Sequence, residues 1–144
     1  MHPFMRQISI THRCAKLYRD DKLADAGLAG VHTPYLMALY KSPGISQEAL
    51  ARQLCVNKSS VTRHLATLEN AGFVRREPSE EDRRVLLVYP TEQALALRER
   101  IRQIIHDWSV YLTEDLTEEE RAQLSALMGK IALRAEAYVK GGDA

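Results

Sequence analysis

Asn57-Lys58-Ser59-Ser60-Val61-Thr62-Arg63-His64-Leu65-Ala66-Thr67-Leu68-Glu69-Asn70-Ala71-Gly72 reads as one helix with two unlike faces. Val61, Leu65 and Leu68 fall at i, i+4 and i+7, a single apolar stripe at helical spacing. Asn57 is a capping residue, and Gly72 ends the helix as a residue free to take positive φ. The face opposite the stripe carries Ser59, Arg63, Ala66, Thr67 and Asn70, with Thr62 on its flank. An ordinary surface helix mixes Glu with Lys or Arg along its exposed face. Here the first carboxylate is Glu69, at the far end, and residues 57–76 hold four cations against that one acid. Short side chains allow close approach to a DNA groove, hydroxyls bond phosphates or base edges, and an arginine reaches guanine O6 and N7 together. The face therefore predicts a helix that enters a major groove. The rival reading is a solvated surface helix.

Working outward, Ser46 caps a short helix with Gln47 and Glu48 in its first turn and Leu50 and Leu54 facing inward. Before it, Thr33-Pro34 marks another helix start, with Thr33 as cap and Pro34 in the first turn, and Pro43-Gly44 marks its end. After Gly72, Phe73–Arg76 and Val85–Tyr89 read as two strands joined by the polar segment 77–84. Three short helices followed by a two-stranded hairpin is the element order of a winged helix-turn-helix. In the wing, Arg83 and Arg84 suit a narrow minor groove, while Glu80, Glu81 and Asp82 beside them would repel phosphate. Asp82 has a use there if it holds Arg84 or Arg76 in position.

The flanks read as helices. Residues 4–24 form the first, with Phe4, Ile8, Thr11, Ala15 and Tyr18 on a stripe, and 25–31 a glycine-bearing loop. Thr91 caps a long helix through Leu97, Ile101, Ile104, Ile105, Trp108 and Leu112. A capping box from Thr117 to Glu120 opens the last one, with Leu124, Leu127, Met128, Ile131, Ala135 and Tyr138 at helical spacing. Stripes that wide are most simply buried against the first helix and a second subunit. The expected fold class is mainly α: a winged helix-turn-helix (32–90) with a two-stranded wing, plus N- and C-terminal helices (1–31 and 91–144) forming a dimerisation part, all one domain over 1–144.

Composition agrees and excludes other classes. The 144 residues are 45% hydrophobic, enough for a core, with a net charge of +1, so only local clustering points to nucleic acid. The longest apolar run, Tyr35–Tyr40, is far short of a membrane span. Residues 1–6 have no apolar signal region, and a cytoplasmic location is expected. Cys14 and Cys55 are too few for a disulfide scaffold and are expected to be reduced, buried small hydrophobes.

Asn57 to Thr91 resembles the winged-helix region of the MarR (multiple antibiotic resistance regulator) family. The matching pieces are Ser59-Ser60-Val61-Thr62-Arg63, Leu65, Leu68, Glu69, Gly72-Phe73-Val74-Arg75-Arg76, and Asp82-x-Arg84 followed by Thr91. Pro90 stands where the family wing usually ends in a hydrophobic residue. The resemblance implies a homodimeric transcription regulator, usually a repressor, released from a pseudo-palindromic operator by a small molecule or oxidant. It implies Ser59, Ser60, Thr62 and Arg63 as recognition-helix contacts on double-stranded DNA, Arg84 as the wing arginine and Asp82 as its positioning partner; the exposed face and the local charge add Lys58 and Thr67 on the helix and Arg76 and Arg83 in the wing as candidate contacts. By the same analogy, His12, Arg13, Tyr35 and Trp108 are candidates for an effector pocket.

Other chemistries find little support. The wing serines have no histidine near them in sequence, His64 reads as a packed or phosphate-touching residue, and no glycine-rich phosphate loop or G-x-S-x-G is present, so no enzyme is expected. His12 and Cys14, two residues apart, point about 200° apart on a helix and cannot share a metal. That leaves only a convergence of His2, His32 or His106 with one of them, and no metal or cofactor is expected. Two alternatives stay open: a winged-helix protein-interaction module that never touches DNA, and a regulator sensing oxidants through Cys14 or Cys55.

Overall fold

The computed structural model describes residues 2–141. Seven α-helices and three short strands follow one another along the described residues: α1 (Pro3–Leu23), α2 (Thr33–Lys41), β1 (Ile45–Ser46), α3 (Gln47–Leu54), α4 (Lys58–Asn70), β2 (Val74–Pro78), β3 (Leu86–Pro90), α5 (Glu92–Ala96), α6 (Arg98–Leu112) and α7 (Glu118–Val139). This is the expected mainly helical winged fold. The apolar stripe of α4 carries it: Val61, Leu65 and Leu68 are all buried. They pack into a core with Leu36 and Leu39 of α2, Leu50 of α3 and Phe73 in the turn after α4. Asn57 and Ser46 cap as expected, each side chain accepting a backbone N–H, from Ser60 and Ala49. Gly72 takes φ +85° to turn the chain from α4 into β2.

The wing is larger than expected. β3 pairs antiparallel with β2 on one side and with β1 on the other, so three strands form the sheet. Val88 is buried at its centre, opposite Ile45 in β1 and Arg76 in β2. Two residues before Gln47 suffice for this extra pairing, too few to show in the pattern of the sequence.

Four local expectations are corrected. Thr33 does not cap α2; His32 occupies the cap position without a side-chain bond, and Thr33 is buried inside the first turn. The segment 25–31 is not simple loop but contains two 3₁₀ turns, Ala24–Ala26 and Gly30–His32. Gly30 sits where its turn crosses α1: a Cβ there would lie 2.7 Å from the Lys16 carbonyl oxygen. Asp20 Oδ1 accepts the Gly30 N–H at 2.6 Å and locks the crossing. The long helix after Thr91 is interrupted at Leu97, which ends α5 and precedes α6. Finally, both thiols are exposed rather than buried. Cys14 lies on the outer face of α1. Cys55 is the one non-glycine residue with positive φ among the described residues, 55°, at the C-terminus of α3. That left-handed cap turns its side chain outward, and the turn closes on Val56, whose N–H donates to Ala51.

The flanking helices expected to dimerise look different from the winged part. α7 has no buried residue, and Leu124, Leu127, Met128 and Ile131 are all exposed on it. Leu17 of α1 and Val110 and Tyr111 of α6 are exposed as well. Residue 1 and residues 142–144, the ends of the two ranges assigned to dimerisation, lie outside the described residues. No helix among the described residues is long and apolar enough to cross a membrane.

Candidate nucleic-acid interface

The outward face of α4 is built as its sequence predicts. Ser59, Thr62, Arg63 and Thr67 are exposed. Ser59 donates to Asn57 Oδ1, and Thr67 donates to the Arg63 carbonyl one turn back. The Arg63 guanidinium makes no hydrogen bond or ion pair among the described residues and stands free at the middle of the face. Lys58, at the helix N-terminus, reaches across to Glu48 at 2.9 Å with both side chains largely exposed. Such a pair is weak in water. Ser60 is turned to the other flank, into a cleft described below.

In the wing, Asp82 and Arg84 form a closed unit. Asp82 accepts from the Arg84 backbone N–H, Nε and Nη2, each at 3.1 Å. The arginine beside it holds the Asp82 carboxyl below the usual carboxylate range. The Arg84 side chain is 91% exposed, and the fork to Asp82 uses its Nε and Nη2. Arg83, next to it, is exposed. Arg76 behaves otherwise. Its side chain is only 16% exposed, and its guanidinium is committed to Glu69 Oε1 at 3.1 Å and Gln47 Oε1 at 3.2 Å. Glu69 is held low in pKa by this arginine. The lone acid of the basic stretch thus serves the fold, and Arg76 ties the first wing strand to the far end of α4.

The pair makes a sharp expectation. Asp82→Ala raises the positive charge of the wing, so electrostatics alone predicts tighter DNA binding with a steeper salt slope. If Asp82 instead orders Arg84, the substitution weakens binding, Arg84→Ala weakens it and lowers the salt slope by about one counterion, and the double variant loses less than the sum. Anisotropy titrations at several salt concentrations separate these outcomes; tighter binding by Asp82→Ala ends the positioning account.

On the opposite flank of α4 lies a cleft of about 330 Å³ between α1, α2 and the helix-turn-helix, lined by His12, Lys16, Arg19, Tyr35, Ser60 and His64 among others. His64, one of its walls, has Nδ1 3.0 Å from Nε2 of the buried His32, and Tyr35 lies against both rings. Of the four candidate effector residues, His12 and Tyr35 line this cleft. Arg13 and Trp108 do not; Trp108 instead stacks between Tyr18 and Tyr111, at 4.6 and 5.7 Å. Lys16, Arg19 and His64 line the cleft too and are not among those candidates. His12, Lys16 and Arg19 stand at i, i+4 and i+7, one face of α1, a spacing visible in the sequence but unremarkable until a partner element is known.

Comparison with known proteins decides the family. The MarR family model matches residues 32–86, which span α2 to the start of β3. The uncharacterised HTH-type transcriptional regulator YybA of Bacillus subtilis (strain 168) is 27% identical over 99% of this chain and 97% of its own length. A MarR transcriptional regulator from Methanosarcina mazei Go1 superposes with a TM-score of 0.86 at 26% identity, covering 92% of this chain and 95% of that one. A variant of E. coli MarR crystallised with operator DNA gives a TM-score of 0.82 at 27% identity over 90% of this chain and 94% of that one. The chain belongs to the MarR family. Its relatives and its fold are those of winged-helix transcriptional regulators, not of enzymes.

In this MarR-family chain the two histidines carry a pH dependence of their own. Burial lowers the pKa of His32, and the facing His64 adds to it; burial and then Arg63 lower that of His64. The bond needs one ring to accept, so at least one stays neutral. The unfolded chain protonates both near 6.5, before the folded chain does, so stability falls as pH drops through that value. Urea midpoints are expected to fall from pH 7.5 to 5.5, and His32→Gln to flatten the slope. An unchanged slope in that variant removes the pair as its source.

Proposed function

We propose that this protein is a homodimeric, sequence-specific DNA-binding repressor, working in the cytoplasm and released from a pseudo-palindromic operator by a small effector. The observation that carries it is the free Arg63 guanidinium, central on a face of α4 with no acid in its first turns. In this reading Ser59, Thr62, Arg63 and Thr67 meet base edges and nearby backbone, Lys58 meets phosphate once it leaves Glu48, and Ser60 supports from the flank. Arg83 and Arg84 enter the minor groove, with Asp82 ordering Arg84 and Arg76 bracing the strand behind them. Two such units need a two-fold axis, which the exposed apolar helices of the dimerisation part suit.

The effector reading rests on the cleft. Lys16, Arg19 and His12 offer positive charge and donors, while Tyr35 and His64 offer flat faces, a combination that suits a small aromatic anion. His64 belongs to α4, so a ligand seated there acts directly on the recognition helix. A mobility-shift assay with the DNA upstream of the protein's own gene tests the function. A discrete complex that survives excess random duplex is expected, and its dissociation by a small aromatic acid supports the cleft. Failure to discriminate that DNA, or any selected duplex, from random sequence sinks the reading.

A further inference from the structure

The polar chain from β2 across the sheet to α4 has a direction, and the direction has a consequence for base recognition. Arg76 is its origin. A guanidinium only donates, so the Gln47 atom facing Arg76 Nη1 at 3.2 Å is the carbonyl oxygen. The other end of the amide is then the NH₂ group, and it donates to Thr62 Oγ1 at 2.8 Å. The amide orientation follows from its neighbours. Thr62 in turn donates its one proton to the Lys58 carbonyl at 2.9 Å. A hydroxyl has one proton and two lone pairs. The proton and one lone pair are spent inside the protein, and a single lone pair is left.

The register of the sheet makes this reach possible. Ile45 and Arg76 both lie opposite Val88, so β1 sets Gln47 across β3 from the arginine. Gln47 and Thr62 also line an open cleft of about 250 Å³ between the helix-turn-helix and the wing, which Arg84 borders. The chain thus ends on the surface where α4 and the wing flank the same space. Glu69 holds Arg76 from the other side, through its side chain and its backbone N–H.

The geometry points to Gln47 as a positioning residue for sequence recognition: held by Arg76, it makes Thr62 a hydrogen-bond acceptor only towards DNA. In the major groove, adenine N6 and cytosine N4 are the donors, whereas guanine and thymine present acceptors at their edges. The base that Thr62 meets is therefore adenine or cytosine. This inference rests on the reading of the chain as a sequence-specific DNA binder.

The test uses the full-length protein and a pool of random 30-bp duplexes, sequencing the bound fraction and then measuring affinities for the selected duplex and its single-base variants. Thr62→Val keeps the shape and removes the hydroxyl. Gln47→Met keeps the length and removes the donor. Gln47→Glu keeps a partner for Arg76 and still cannot donate. Preference at one position of each half-site, an adenine or cytosine, is expected to fall about fivefold in Thr62→Val, the size of one hydrogen bond. Both Gln47 variants are expected to lose preference at that same position, and Gln47→Met/Thr62→Val to lose no more than either change alone. Affinity for random duplex and its salt slope stay at wild-type values in Gln47→Met. The inference is overturned if the affected position reads guanine or thymine, if Gln47→Met keeps wild-type preferences, or if it weakens every duplex equally. A wild-type protein that selects a motif while the Gln47 variants select the same one overturns this inference alone. A wild-type protein that selects no motif overturns the proposed function with it.

Discussion

Leu127→Asp combined with Ile131→Asp is expected to leave a folded monomer at micromolar concentration that binds its operator at least about 100-fold more weakly than wild type. The argument starts from burial. The 22 residues of α7 include none that is buried within the protomer, although the helix carries a leucine, methionine and isoleucine series at helical spacing. Each such side chain gains about 1.5–3 kcal/mol on leaving water, so a helix of this kind does not stay bare. Leu17 on α1 and Val110, Tyr111 and Leu112 on α6 extend the exposed apolar surface. Two carboxylates placed in that contact would be desolvated without partners.

Loss of the proposed dimer turns one two-site binding event into two independent weak ones. Linkage of two half-sites multiplies affinity by about 10²–10⁴, and that factor disappears with the partner. The winged part keeps its own core through Leu36, Leu50, Leu65 and Phe73, none of which belongs to α7. Circular dichroism should therefore remain helical while light scattering falls to the monomer mass. Removal of residues 114–144 should give the same result. A double variant that stays dimeric, or a monomer that binds operator with wild-type affinity, defeats the two-half-site mechanism.

What the sequence disclosed and what it hid divide along a physical line. The α4 stripe, the caps at Ser46, Asn57 and Thr117, and the turn at Gly72 are all local, encoded within one or two turns of chain. Features that depend on a distant partner were not legible. Arg76 reads as a free wing cation until Gln47, 29 residues away, is seen beside it. His32 and His64 are 32 residues apart, and only the packing of the 3₁₀ turn against α4 brings their rings together. The interruption at Leu97 is hidden for the opposite reason: the apolar stripe runs through it without a change of period. The cysteines misled because burial was inferred from residue type, whereas Cys55 is turned outward by its backbone conformation. Trp108 stacks on Tyr18 of α1 and Tyr111 of α6, a placement that its position in the sequence does not disclose.

Arg63→Ala is expected to cost about 1–3 kcal/mol of operator binding, with most of the loss at one base step. The residue is exposed at the centre of the α4 face, one turn from Thr67 and Ser59, where a groove floor would come closest. Its guanidinium has all five donors available, and the bidentate match to guanine O6 and N7 uses two of them. Lys58 provides the contrast. Its partner Glu48 and its place at the helix end suit a phosphate, so Lys58→Ala should weaken all duplexes nearly alike and reduce the salt slope by about one. Arg63→Lys keeps the charge and loses the fork, so it should restore the salt slope without restoring base preference. Alanine is the best helix former, and no intramolecular bond is lost, so α4 itself should persist. One internal reporter checks this. Arg63 contributes to holding the His64 pKa down, and its removal should move the His64 titration upward by NMR while the ring stays in place. If Arg63→Ala weakens operator and random duplex by the same factor, the arginine touches only the backbone. The base preference of this protein must then come from the hydroxyls of α4 and from the shape of the DNA.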